Sequence, residues 1–226
     1  MIRTATELEK LATQVLRKAG TAESAAGSVA RALVRANLDG LHSHGLARLK
    51  AYSAQVAAGK VAGEAEPILE KLGPSAARID ANDGFAFPAF DLAIDALVDM
   101  TAETPVAGVA VTNSHHFGGA GHPVERLAER GIVCLVFGNS PAGIAPWGGS
   151  RPLFGTNPIA FGFPRKEAPP VVVDLSLSKQ ARGKIKLAAD EGRPIPEGWA
   201  LDAAGNPTTD AAAAMGGSML PLGDAK

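Results

Sequence analysis

A single cysteine, Cys134, occurs in the 226-residue chain. One thiol cannot close an internal disulfide, a composition that suits a reducing cytoplasm. Cys134 lies inside the apolar run 132–137, where cysteine serves as a small hydrophobe more readily than as a nucleophile. An excess of one charge is also missing. Twenty-two Lys and Arg face 23 Asp and Glu, for a formal net charge of −1. Nucleic acid demands a concentrated positive footprint, so no such partner is expected. An anionic ligand must then be held by a few local cations. No apolar run approaches the ~20 residues that span a bilayer. The chain is polar and charged from Arg3 onward, so neither a membrane span nor a signal peptide is expected. Metal signatures are absent too. All five histidines fall between 42 and 122, yet no H-E-x-x-H and no Cys/His pairing occurs, and no catalytic metal is expected.

What is present is close to a globular average, with 46% hydrophobic and 20% charged residues. The length fits one large domain or two small ones. The first third reads as helical. Thr4 followed by Glu7 is a capping-box pattern, and Leu8, Leu11, Ala12, Val15, Leu16 and Ala19 recur at helical spacing until Gly20. A second helix follows Thr21, with Ala26, Val29, Ala30, Leu33 and Val34 on one face, and ends near Gly40. A third is expected from about Leu46 to Ala58. Glycine and proline accumulate over 59–75, which predicts a boundary between a helical domain, 1–70, and an α/β domain, 71–226. Strands are expected at 77–80, 108–112, 132–139, 159–163 and 171–175, and helices at 89–101 and 123–130.

Four segments carry polar side chains suited to chemistry. The first is His42-Ser43-His44-Gly45 with Arg48. Histidine exchanges a proton near neutrality, and arginine presents a fork that matches a carboxylate. If 44–48 is helical, His44 and Arg48 share a face, which sets a proton donor beside a carboxylate clamp. A solvated helix start with a surface arginine satisfies the same spacing. The second is Thr112 to His122, glycine-rich and placed between a strand and a helix, where backbone N–H groups can approach a phosphate. It is not G-x-G-x-x-G, so it makes no dinucleotide fingerprint; a glycine-rich turn with incidental histidines reads equally well. The third, Gly155 to Gly162, and the fourth, Val173 to Ser178, are polar sets at strand ends, where α/β proteins place ligand contacts and also simple capped turns.

In this order the segments resemble the type 2 malate/L-lactate dehydrogenases. The stretches that carry the resemblance are HSHGLARL (42–49), NSHHFGGAGH (113–122), GTNPIAFGFP (155–164), VVDLSLSKQARGKI (172–185), IPEGWALDAAGNPTTD (195–210) and GSMLPLGDAK (217–226). The resemblance implies a helical domain beside an α/β domain with a mixed sheet, in a nicotinamide-binding fold that is not a Rossmann fold, assembled as a homodimer in the cytoplasm. It implies NAD or NADP as cofactor and a small 2-hydroxy or 2-oxo acid of malate, lactate or sulfolactate type as substrate. Ser43 and His44 match the family's active-site pair, Arg48 its substrate-carboxylate position and Thr156 a substrate-side threonine. His116 matches an acid/base residue of some members. His116, Phe117, Gly118, Gly119, Ala120, Ser140, Asp174, Leu175, Ser176 and Lys226 match cofactor contacts. Two departures stand out. Lys184 occupies a position where members that reduce cyclic imino acids carry aspartate, although such a reductase remains the alternative enzyme. The sequence stops at Gly223-Asp224-Ala225-Lys226, where relatives continue into a helix-rich segment, so an inactive fragment is the other alternative.

Overall fold

The structure is a computed structural model that describes residues 3–223. Helix α1 (Ala5–Lys18) begins at the expected capping box: Thr4 Oγ1 accepts from Glu7 N–H at 3.2 Å and Glu7 Oε2 accepts from Thr4 N–H at 2.9 Å. Of its apolar stripe only Ala12 and Leu16 are buried, while Leu11 and Val15 stay 48% and 42% exposed. Helix α2 (Glu23–Leu38) packs against it and buries Val29, Ala30, Leu33 and Val34. Helix α3 (Leu49–Ala57) starts later than expected, because 46–48 forms a separate 3-10 turn.

Strands β1 (Ile68–Gly73), β2 (Ala76–Asp80) and β3 (Gly108–Thr112) form one sheet. β1 and β2 are an antiparallel hairpin, whereas β2 and β3 run parallel, so the sheet is mixed. The connection from β2 to β3 is helix α4 (Ala86–Glu103), whose Ala89 and Ala93 pack on Ile79 and Val111. A parallel pair requires such a crossover. Helix α5 (Gly121–Ala128) follows β3. Asp91 of α4 fastens three helices: it accepts from Ser28 Oγ of α2 and from Arg126 Nη1 of α5, both at 2.6 Å.

These elements make one compact unit, Met1–Ile132, and the rest makes a second, Val133–Lys226. Composition places a boundary near residue 70, but the main core of the first unit crosses that point. Leu16, Leu33 and Tyr52 pack in one cluster with Phe85 and Phe87. Segments that share a dehydrated core do not separate, whatever the glycine content of the chain between them.

In the second unit β4 (Cys134–Phe137), β5 (Ile159–Phe163) and β6 (Val171–Leu175) form an antiparallel sheet. Its register puts Leu135, Phe137, Ile159, Phe161, Phe163, Val171, Val173 and Leu175 on one face. All eight are apolar, and Phe137 at its edge is 68% exposed. Helices α6 (Arg182–Asp190) and α7 (Ala211–Met215) pack with the short strands β7 (Ala200–Leu201), β8 (Pro207–Thr208) and β9 (Ser218–Met219) around Ile144, Ile185, Ile195 and Met219. The thiol of Cys134 is half-buried against the Gly162 carbonyl, and burial raises it above the usual cysteine range. Among the described residues no helix is long and apolar enough to cross a membrane.

Candidate active site

The chain leaves α2 through Gly40, at φ +77°, and makes two 3-10 turns, His42–His44 and Leu46–Arg48. A continuous helix over 44–48 would align His44 with Arg48, but Gly45 interrupts it with φ −94° and ψ −148°. The reason is a close approach. Asn37 Oδ1 accepts the Leu46 N–H at 2.8 Å, and a Cβ on residue 45 would collide with that same amide oxygen. The side chains meet by another route. Arg48 Nε donates to the Ser43 carbonyl at 2.7 Å, and Ser43 Oγ lies 3.1 Å from His44 Nδ1. Among the described residues no carboxylate pairs with Arg48. A partly buried guanidinium without an internal anion is suited to an external one.

Between β3 and α5 the chain brings His116 onto this turn. The His44 and His116 rings stack with centroids 5.6 Å apart and planes 23° apart. His116 Nδ1 lies 2.6 Å from the Tyr52 hydroxyl and 3.3 Å from the Gly118 amide nitrogen. Burial pushes the His116 imidazole down to about 3, and Arg48, His44 and His115 add to the effect. The same burial, with Lys60 and Arg48, lowers His115, whose Nδ1 is buried without a hydrogen-bond partner. Burial also raises Tyr52 above the ordinary phenol range, so its hydroxyl keeps its proton.

Phe117 stacks on Phe90, with centroids 5.5 Å apart, and Gly118 takes φ +77°, a conformation that favours glycine. Gly119 and Ala120 are buried and lead into α5, whose N-cap, Ala120, offers no side-chain oxygen. Glycines leading into a helix start suit the phosphate of a nucleotide. The remaining histidines lie outside this arrangement. His42 is exposed, and His122 Nε2 pairs with Asp39 at 3.0 Å. Burial alone would raise Asp39, but its bonds to Arg35 and His122 outweigh that and hold it low. Among the described residues no group of three or more His, Cys, Asp or Glu could hold a metal ion.

The second unit gathers another set at one end of its antiparallel sheet. Ser140 Oγ lies 3.0 Å from Thr156 Oγ1 and accepts the Thr156 N–H at 2.8 Å, while Asn157 Oδ1 accepts the Ser140 N–H at 3.0 Å. The Thr156 carbonyl accepts from Leu177 N–H at 2.7 Å, which ties this cluster to the end of β6. There Leu175 faces Ile159, Asp174 faces Ala160, and Ser176 Oγ lies 2.6 Å from Ser178 Oγ. Lys184 is exposed on α6. Lys226, also an expected cofactor contact, lies outside the described residues.

Thus Ser43, His44, Arg48 and His116 come together in the first unit, and Ser140, Thr156 and Ser176 in the second. Sequence reasoning misses Tyr52 and Asn37, and holds Asn157 only as part of the segment 155–162. Tyr52 left a usable signal, being the chain's single tyrosine and four residues after Arg48.

Residues 4–226 match the family model described as malate/L-lactate dehydrogenase. The chain belongs to the malate/L-lactate dehydrogenase family. Within that family it is 53% identical over 220 residues to a (2R)-3-sulfolactate dehydrogenase (NADP(+)) of Chromohalobacter salexigens, covering 97% of this chain and 66% of that one. It is 44% identical over 227 residues to a Δ1-pyrroline-2-carboxylate/Δ1-piperideine-2-carboxylate reductase of Pseudomonas aeruginosa, covering 100% of this chain and 68% of the relative. Among solved structures of the family it resembles the Δ1-piperideine-2-carboxylate reductase of Pseudomonas syringae, with a TM-score of 0.96 and 40% identity over 99% of this chain and 68% of that one. The sulfolactate dehydrogenase of Methanocaldococcus jannaschii gives a TM-score of 0.89 at 33% identity, over 99% of this chain and 65% of that one. The chain therefore spans about two thirds of the length of these family members.

Proposed function

We propose that this chain carries the substrate-binding and proton-handling residues of a cytoplasmic, homodimeric NAD(P)-dependent oxidoreductase that acts at C2 of a small 2-hydroxy or 2-oxo acid. The observation that carries this reading is the meeting of two stacked imidazoles with the Arg48 guanidinium, which has no carboxylate partner among the described residues. Arg48 holds the substrate carboxylate in a charge-assisted pair. Ser43 orients the His44 ring through Nδ1, and the imidazoles handle the proton of the C2 oxygen. Within each unit the residues present suit parts of a nicotinamide nucleotide: in the first, the 116–120 loop offers glycine backbone at a helix start, and in the second, taken by itself, Ser140 and the 174–176 segment offer polar groups at strand ends. When bound, that cofactor gives or takes the hydride. The NADP(+)-dependent relative at 53% identity supports NADP and a sulfolactate-type substrate.

A second reading, reduction of a cyclic imino acid, draws support from the 44% identical Pseudomonas aeruginosa reductase and from the structural likeness to the Pseudomonas syringae enzyme. Both chemistries need a carboxylate clamp and a proton donor beside C2. The test is a substrate panel of pyruvate, oxaloacetate, sulfopyruvate and piperideine-2-carboxylate, each with NADPH and NADH, followed by nicotinamide absorbance. Turnover of the 2-oxo acids is expected. Turnover of piperideine-2-carboxylate alone refutes the first reading in favour of the second.

A further inference from the structure

The hydrogen bonds around His116 decide which of its nitrogens bears the proton. Tyr52 is 2% exposed, and its ring is packed by Phe85 at 5.5 Å, Phe87 at 6.4 Å and His115 at 5.1 Å between centroids. That packing aims its hydroxyl at His116 Nδ1, 2.6 Å away. A tyrosine hydroxyl can donate or accept, so this contact alone leaves the tautomer open. The Gly118 amide resolves it. A backbone N–H can only donate, and this one is directed at the same Nδ1 from 3.3 Å. A hydrogen on Nδ1 would face the Gly118 N–H, so Nδ1 is an acceptor and the Tyr52 hydroxyl donates to it. A neutral imidazole whose Nδ1 accepts carries its hydrogen on Nε2.

We propose that Tyr52 is a positioning residue that fixes His116 as a neutral imidazole with its proton on Nε2, so that His116 gives the substrate a hydrogen bond while His44 exchanges the proton. The division of roles rests on the reading of this site as the place where a 2-oxo or 2-hydroxy acid reacts. The tautomer does not. Around His116 stand the Arg48 guanidinium, the His44 and His115 rings and the Tyr52 hydroxyl. None is an anion that would favour an imidazolium, which agrees with the lowered basicity of this ring. A neutral imidazole held in one tautomer can polarise a carbonyl without giving up its proton.

The test is long-range ¹H–¹⁵N spectroscopy of the histidine rings in the 226-residue chain, without substrate or cofactor, for the unaltered protein and for Tyr52→Phe. The unaltered protein is expected to show His116 with Nε2 protonated and Nδ1 bare, and to stay neutral from pH 8 to pH 5. Tyr52→Phe keeps the packed ring and removes only the hydroxyl, so a single tautomer is expected to become a mixture. A proton on Nδ1 in the unaltered protein overturns the proposal even if the variant fails to fold. An unchanged tautomer in a folded Tyr52→Phe, or charge gained by His116 above pH 5, overturns it as well. A fixed Nε2 tautomer beside a silent substrate panel removes the proposed function and supports the Tyr52–His116 coupling.

Discussion

Acidification is expected to weaken the first unit through His116. The ring lies near 3 in the folded chain against 6.5 as the ordinary value. Between those values the unfolded chain binds the proton and the folded chain does not, so stability rises with pH across the window. It is fully present above about pH 6.5 and is lost as pH falls toward 3. At pH 4.5 the unfolded ring has gained a proton over two pH units at about 1.4 kcal/mol each, or roughly 2.7 kcal/mol. Partial contact with solvent screens this, and about 2 kcal/mol is expected. Glu7, Asp39 and Asp202 are held low and also lose stability in acid, below the ordinary carboxylate range. The comparison is therefore with His116→Gln, in which those carboxylates are unchanged and the ring is gone. Circular dichroism melts from pH 7 to pH 4.5 should show the unaltered chain losing about 2 kcal/mol more than the variant. Parallel losses in the two proteins would show that His116 takes up its proton as easily folded as unfolded, and would refute the burial argument.

Three further outcomes follow from the geometry. Gly45→Ala drives a methyl into Asn37 and breaks its bond to Leu46, so urea unfolding should find about 2 kcal/mol less stability; an unchanged midpoint contradicts the close approach. Arg48→Ala should lower kcat/KM for 2-oxo acids roughly 30- to 150-fold, from the loss of a charge-assisted pair of about 2–3 kcal/mol, with nicotinamide binding unchanged; full activity removes Arg48 from the substrate. The eight-residue apolar face of the second unit should drive self-association, which Leu135→Ser with Phe137→Glu should reduce in light scattering; a monomeric unaltered chain at tens of micromolar speaks against it.

Strands β3, β5 and β6 are legible to the residue, because each is a short β-branched or aromatic run bounded by glycine, proline or polar residues. The capping box of α1 is equally plain. β1 is not, since Ile68–Gly73 is an edge strand with polar residues on both sides of its pleat and lies inside the glycine- and proline-rich stretch. The pairs β7, β8 and β9 are two residues each and leave no period to read. At the site, residue types revealed His44, Arg48 and His116, but spacing suggested a helical face that Gly45 interrupts. What joins them is tertiary: Tyr52 and His116 stand 64 positions apart, and local pattern carries no trace of that contact.

The mixed sheet also has a history in time. The β1–β2 hairpin closes over neighbouring residues, with Gly73 opposite Ala76. β3 joins β2 only after 32 positions of chain, from Ala76 to Gly108, have been looped back with α4 inside them. Loop-closure entropy therefore sets an order in which the hairpin forms early and β3 docks late, once α4 has a surface to pack on. His116 lies just beyond β3, so the two imidazoles of the site meet only at that last step. A refolding chain is therefore expected to close its local hairpin before it acquires its chemistry.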